Sequence, residues 1–203
     1  PGLLAPFDGE SRGGVDLRDD ADPNNDYRKI RDARSDARDE ERQADLRGES
    51  SAEAVLEWRN VWSDGQSYLQ NQAKDLEVVA YMIEASVRLG GFSGLAQSLS
   101  LTSQLIRDFW GEILPAPDED GIETTLLPIS RLNGDIISYA LMRVPVTEDT
   151  AVGEFLVWQH GQAKQLQSLG GEEREQRIER GAVAMETFTR AVAETSDAFY
   201  QNL

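Results

Sequence analysis

Apolar residues recur along this chain at helical spacing, and no alternation of apolar and polar positions survives for more than four residues. In the segment SAEAVLEWRNVWSDGQSYLQ, Val55, Trp58, Val61, Trp62, Tyr68 and Leu69 fall on one stripe at 3.6 spacing, with Ser51 or Ser50 placed to cap it. KDLEVVAYMIEASVRLG continues with Leu76, Val79, Ala80, Ile83 and Val87. SGLAQSLSLTSQLIRDFWGEILP carries Leu95, Leu99, Thr102, Leu105, Ile106, Phe109 and Ile113. Pro115 and Pro117 close that element. A further helix is predicted from about Thr125 to Met142, with Ile129, Leu132, Ile136 and Leu141 inward and Pro128 confined to its first turn. Another spans about Val152–Leu169, with Phe155, Leu156 and Ala163 inward, and ends at Gly170-Gly171. The last, Glu172–Leu203, spaces Ile178, Met185, Phe188, Val192 and Phe199 as a helix does.

The first fifty residues differ. Residues 1–23 hold Pro1, Pro6 and Pro23 among glycines and show no period, so they read as a lead-in that is either extended along the domain or disordered. From Asn24 a helical pattern begins, capped by Asn24 or Asn25. Its apolar content is thin (Tyr27, Ile30, Ala33, Ala37, Ala44, Leu46), and its charges alternate in sign. Such pairs stabilise an exposed helix by only about 0.2–0.5 kcal/mol each, so this helix is expected to be weakly docked and to end by Gly48. The pattern therefore predicts an all-α, compact multi-helix domain of about seven helices: a lead-in over 1–23 and one domain over 24–203. No internal repeat is present.

Between two of the strongest helices lies VRLGGFSGLAQSLSL, residues 87–101. Paired glycines interrupt a good helix that restarts at once, which reads as a helix hairpin. Gly90 or Gly91 takes a left-handed conformation, Phe92 packs as a staple, and Ser93 or Gly94 opens the next helix.

Charge narrows the partners. The chain has 20 basic and 37 acidic residues, a net charge of −17. The acid is distributed, at −5 over residues 1–50, −9 over 51–150 and −3 over 151–203. Binding to nucleic acid needs a cationic field, so no nucleic-acid partner is expected, and basic protein surfaces are favoured instead. The arginines at 31, 34, 38 and 42 could track phosphates, but Asp32, Asp36, Asp39, Glu40 and Glu41 nearly cancel them. The absence of cysteine excludes disulfides and thiolate chemistry, and no apolar run approaches a membrane span. With proline rather than methionine at position 1, the chain is expected to be trimmed.

Candidate chemistry is sparse. GGFSG superficially resembles a hydrolase nucleophile turn at Ser93. The frame fails, because the closing position is Leu95, the preceding segment is helical, and the single histidine, His160, lies on another helix. Asp118, Glu119 and Asp120 lack the spacing of a calcium loop and read as a solvated turn. His160 has no ligand partner at helical spacing. Trp58, Trp62, Trp110 and Trp158 are assigned to packing, with Trp58 or Trp158 as the alternative anchors of a partner. No cofactor, metal or catalytic group is expected.

The order of words from Lys74 onward resembles the N-terminal domain of the TssA (ImpA) family of type VI secretion proteins. The matching words are Lys74-Asp75-Leu76, then Arg88-Leu89 through Gly91, Phe92 and Gly94 to Leu95, then Trp110 to Pro115, then Asp118-Glu119-Asp120. Upstream, Ser11, Gly14, Asp16, Leu17 and Tyr27 match the family's lead-in, while Arg12-Gly13 replaces its Pro-Cys step. Downstream, PISRLNGDIISYALMRVPVTEDTAVGEFLVWQHGQA is similar more loosely, with Asn133-Gly134 where Ala-Leu is usual. The resemblance spans roughly residues 5–165. It implies a cytoplasmic, non-enzymatic organiser of contractile-tail assembly that contacts baseplate, inner-tube or sheath components. It further implies ring formation through a C-terminal domain absent from this chain, which then is a fragment of a longer protein. A stand-alone helical adaptor, or a hydrolase using Ser93 and His160, are the competing readings.

Overall fold

A computed structural model describes residues 2–47, 51–119 and 121–203. These are all-α: nine α-helices and one short 3-10 turn, Gly2–Leu4, are found among the described residues, with only isolated bridges and no strand. The helices are α1 (Asp26–Arg47), α2 (Ala52–Asn71), α3 (Leu76–Phe109), α4 (Ile122–Ser130), α5 (Asp135–Met142), α6 (Val157–Gln167), α7 (Gly171–Glu179), α8 (Met185–Glu194) and α9 (Asp197–Asn202).

The core is built on α2 and the first half of α3. Ser51 caps α2, its side chain accepting from the Ala54 amide at 3.0 Å; Ser50 lies outside the described residues. Ala54, Trp58, Val61, Gly65, Tyr68 and Leu69 form the buried face of α2. Gly65 is part of it because a Cβ there would lie 2.5 Å from Met82 Cγ on α3. Val55, expected on this stripe, is exposed, because it falls at the edge of the buried face. Apart from the half-buried Glu77, the first half of α3 is buried all round, from Leu76 to Val87, as a central helix must be.

α3 folds back on itself. A straight helix of its 34 residues would be roughly 51 Å long. Its two ends nevertheless meet: the Leu76 amide donates to Leu114 O at 2.7 Å, and the Leu114 amide donates to Lys74 O at 2.9 Å. The turn is Gly91, the one non-helical residue inside the element, at φ 57° and ψ −140°. The two halves cross where Gly94 meets Ser86, and the Ser86 and Ser98 hydroxyls are 2.8 Å apart there. This crossing explains why Leu99 is exposed rather than buried as its stripe predicts. The close approach needs small side chains, so Ser98 and Thr102, with Leu105 and Phe109, form the inner seam. The two hydroxyls return to Gly94 O and Ser98 O of their own helix.

α1 corrects the expectation of a weakly docked helix. It starts after Asn25, whose side chain accepts from the Arg28 amide, and is described to Arg47; Gly48 lies outside the described residues. Tyr27, Ile30, Ala37 and Ala44 are buried against α2 and α3. The missing apolar surface is replaced by ion pairs into the core. Arg34 and Arg38 each place two nitrogens on one oxygen of Glu84, at 2.6–2.9 Å, and Glu84 is fully buried.

The predicted helix over 125–142 is two helices. The chain turns at Arg131–Gly134, where Asn133-Gly134 supplies the break, and Pro128 sits inside α4 rather than in its first turn. The predicted helix over 152–169 starts only at Val157. Phe155 and Leu156 precede it in extended backbone, where Phe155 O accepts from the Val146 amide and Gln159 accepts from the Leu156 amide. The final segment forms three short helices, with Ile178 and Val192 partly exposed. Phe155, Ala163, Phe188 and Ala191 make a second small core between α6 and α8.

Candidate functional site: where the sequence motifs meet

Lys74, Asp75 and Leu76 sit at a three-way junction of the lead-in, the start of α3 and the end of α3. All three are fully buried. The Lys74 amide donates to Gly13 O at 2.6 Å, and the Val15 amide donates to Gln72 O. These bonds lay residues 13–15 along the segment before α3. The approach is close enough that a Cβ at Gly13 would be 2.0 Å from Glu112 O, and one at Gly14 (φ 91°) would be 2.1 Å from Gln72 O. No larger residue fits at either position.

The side chains complete the junction. Lys74 Nζ donates to Leu69 O at 2.5 Å and lies over the rings of Phe7, at 4.4 Å, and Phe109, at 5.6 Å. No carboxylate pairs with it among the described residues, and burial lowers its pKa to about 8. Asp75 caps α3, accepting from the Glu77 amide at 2.8 Å. Its two oxygens lie 3.0 and 2.9 Å from Arg18 nitrogens. Burial pushes the Asp75 carboxyl up, and Arg18 opposes that. Burial acts to lower the Arg18 guanidinium, but Asp75, with Glu77 and Asp16, outweighs it and raises the pKa. Glu77 is held below its ordinary value: burial acts to raise it, and hydrogen bonds from Tyr81, Arg18 and Tyr27 together outweigh that. The arrangement fastens three segments together. Arg18 and Glu77 remain partly exposed and line a groove between α3 and α4.

The second group of motif residues is the α3 turn. Arg88 Nε donates to Glu41 at 2.6 Å and stacks on Trp58 at 4.1 Å, while Trp58 donates to the same Glu41 oxygen at 3.0 Å. Leu89 is partly exposed, and Phe92 and Leu95 pack towards Val87, Ala140 and Val144. Gly91 and Gly94 serve the turn and the crossing. Trp58 is therefore core, whereas Trp158 is exposed.

The third group spans Trp110 to the acidic loop. Trp110 is half-exposed, and Pro115 borders a groove shared with α3 and α4. Asp118 accepts from the Thr124 hydroxyl at 2.7 Å, and its carbonyl accepts from the Gly121 amide, so the loop is tied to the first turn of α4. Glu119 is exposed; Asp120 lies outside the described residues. Ser93 accepts from Gln97, not from a histidine, and His160 packs on Phe188 at 5.2 Å, so no nucleophile and base come together there. Among the described residues no three His, Cys, Asp or Glu side chains could hold a metal ion, and no helix is long and apolar enough to cross a membrane.

Sequence reasoning missed the Glu84 clamp and the exposed face of α5 and α6. The first had a signal, a single acid inside the apolar run VVAYMIEASV. The second had none, since Tyr139, Met142 and Trp158 are brought together only by the break at Gly134 and the late start of α6.

The fold is all-helical, and its motif residues fasten segments of the chain to one another. The family model for the ImpA N-terminal region of type VI secretion systems matches residues 4–134. The chain belongs to this family. It is similar to the type VI secretion system component TssA1 of Pseudomonas aeruginosa, at 30% identity over 90 residues, which cover 43% of this chain and 26% of that protein. In structure it is similar to the N-terminal domain, including the conserved ImpA_N region, of the TssA component from Burkholderia cenocepacia. The TM-score is 0.77 at 28% identity, over 99% of this chain and 73% of that one.

Proposed function

We propose that this chain is a non-enzymatic assembly module of a type VI secretion apparatus, acting in the cytoplasm and contacting baseplate, inner-tube or sheath components during contractile-tail assembly. Residues 24–203 act as one all-α unit with residues 2–23 strapped onto it. Ring formation belongs to a separate C-terminal domain of the full-length protein.

One surface observation carries the protein-binding part of this reading. Tyr139, Met142 and Trp158 stand 38–49% exposed on neighbouring α5 and α6, with the Arg143 guanidinium 5.3 Å over the Tyr139 ring. Tyr, Trp, Met and Arg are the residues enriched where proteins bind one another. The direct test is biolayer interferometry of the folded domain against purified baseplate, tube and sheath proteins. Binding of at least one is expected, with weakening by Trp158→Ala. A folded domain that binds none of them overturns the reading.

A further inference from the structure

We infer that the outer face of α4, with the acidic loop before it, docks a cation-flanked amphipathic helix of a partner protein. This rests on the assembly-module reading and adds a location and a partner chemistry to it.

Ile122, Leu126 and Leu127 are 36–41% exposed on a nine-residue helix. An amphipathic helix docked on one side only normally shows polar residues on the other; α4 shows leucine and isoleucine. Leu127, with Pro115, Leu132 and Ile136, also lines a groove of about 340 Å3 that Arg18, Glu77 and Glu84 share.

The segment leading into this face is acidic. Between Asp108 and Ser130 the sequence holds six acids, Asp108, Glu112, Asp118, Glu119, Asp120 and Glu123, and no lysine or arginine. Glu119 and Glu123 are exposed and have no ion pair among the described residues. Glu123 is in the first turn of α4, next to Ile122, and Glu119 is in the loop two residues before the N-cap Gly121. The exposed cation Arg131 lies at the opposite end of the helix. An apolar surface with unpaired acids at one end and a cation at the other selects both the chemistry and the direction of its occupant. The apolar stripe of a partner helix covers Ile122 and Leu126, and its lysines or arginines lie over Glu119 and Glu123. Such recognition by an apolar helix face with complementary rim charges follows the helix-in-groove mode.

The probe is a synthetic leucine–lysine amphipathic peptide, with a leucine–glutamate peptide as its counterpart, measured by backbone NMR shifts and calorimetry on the 203-residue chain. Shifts confined to residues 118–132 are expected. Glu119→Lys with Glu123→Lys should weaken the peptide by about fivefold, the size of two exposed ion pairs. Glu172→Lys with Glu175→Lys makes the same net-charge change on α7 and should leave it within about twofold. Ile122→Ser should weaken binding with an unchanged melting temperature. Equal weakening by both double variants, shifts mapping elsewhere, or equal binding of the glutamate peptide overturns the docking site. Repeating the series with purified secretion components separates the two readings. Components that bind the wild type and the Glu119/Glu123 variant alike remove this site and leave the assembly reading standing; components that never bind the wild type remove the assembly reading itself.

Discussion

Gly90 and Gly94 are four residues apart in one α-helical element, yet the same substitution should have opposite effects at the two. A Cβ at Gly94 would lie 2.2 Å from Ser86 O, an atom of the rigid backbone of the facing half of α3. Relieving that overlap separates the two halves by roughly 1 Å, and overpacking of this kind costs about 1–3 kcal/mol. The Ser86–Ser98 hydroxyl contact, 2.8 Å at the same crossing, is stretched beyond hydrogen-bonding range, which costs about 1 kcal/mol more. Alanine's better helix propensity returns about 1 kcal/mol. The net loss for Gly94→Ala is therefore about 1–3 kcal/mol, or a melting temperature about 3–10 °C lower for a chain of this size. At Gly90 nothing lies within 4 Å of an added Cβ and φ is not positive, so Gly90→Ala should be neutral or stabilising by up to about 1 kcal/mol. Urea unfolding of both variants beside the wild type reads the difference. A Gly94→Ala variant as stable as Gly90→Ala would refute the hairpin crossing, because a single straight helix gains from alanine at both positions.

Three further outcomes follow from the same geometry. Gly91→Val forces a β-branched residue to φ 57°, ψ −140° with its Cβ 3.0 Å from Val144 Cγ1, and should cost about 1–3 kcal/mol in denaturant; wild-type stability rejects the turn assignment. Glu84→Gln leaves the Arg34 and Arg38 guanidiniums sharing a neutral amide whose NH2 must face one of them, and should cost about 3 kcal/mol; a loss under about 0.5 kcal/mol means the clamp is solvated and α1 is held by packing alone. Lys74 has its folded pKa lowered from 10.5 to about 8, so between those values the unfolded chain holds the extra proton and stability rises with pH. The wild-type urea midpoint should therefore climb between about pH 8 and 10 relative to Lys74→Met, and a flat difference removes the desolvated lysine.

α1 shows why the helix class was legible and its docking was not. Positions 27, 30, 34, 37, 41 and 44 follow the 3-4 spacing of a packed helix seam, yet two of the six are Arg34 and Glu41. Read alone, charges at seam positions argue for a solvated helix. The structure shows why they are tolerated: Glu84 on α3 meets Arg34, while Arg88 and the Trp58 indole meet Glu41. Each of these partners is 17 or more residues away in sequence. Charge matching across helices leaves no periodic signature in either one, so a hydrophobicity pattern cannot register it. The split of the 125–142 helix is a different failure. Asn133-Gly134 is a local turn signal that the strong apolar period on either side overrode.

The family motifs were legible as words, and their physical meaning emerges from what they touch. Lys74-Asp75, Gly13-Gly14 and the Trp110–Pro115 segment look unrelated along the chain. They converge because folding a 34-residue element in two brings residue 75 beside residue 114, and the lead-in crosses that seam. A fully buried lysine without a carboxylate is costly. At the junction its Nζ satisfies the orphaned carbonyl of Leu69 near the end of α2, and its charge lies over the Phe7 and Phe109 rings. The adjacent Asp75 caps α3 and holds the lead-in through Arg18. Two neighbouring charged residues thus tie α2, α3 and the lead-in to one point, which an apolar pair could pack but not orient. The consequence reaches the surface. The segment leaving this junction, Pro115 to Gly121, carries the acidic loop, so the rigidity of the buried knot fixes where Glu119 and the start of α4 stand. Loosening the knot at Asp75 with asparagine should therefore reduce binding at α4 even though no residue of the docking face has changed.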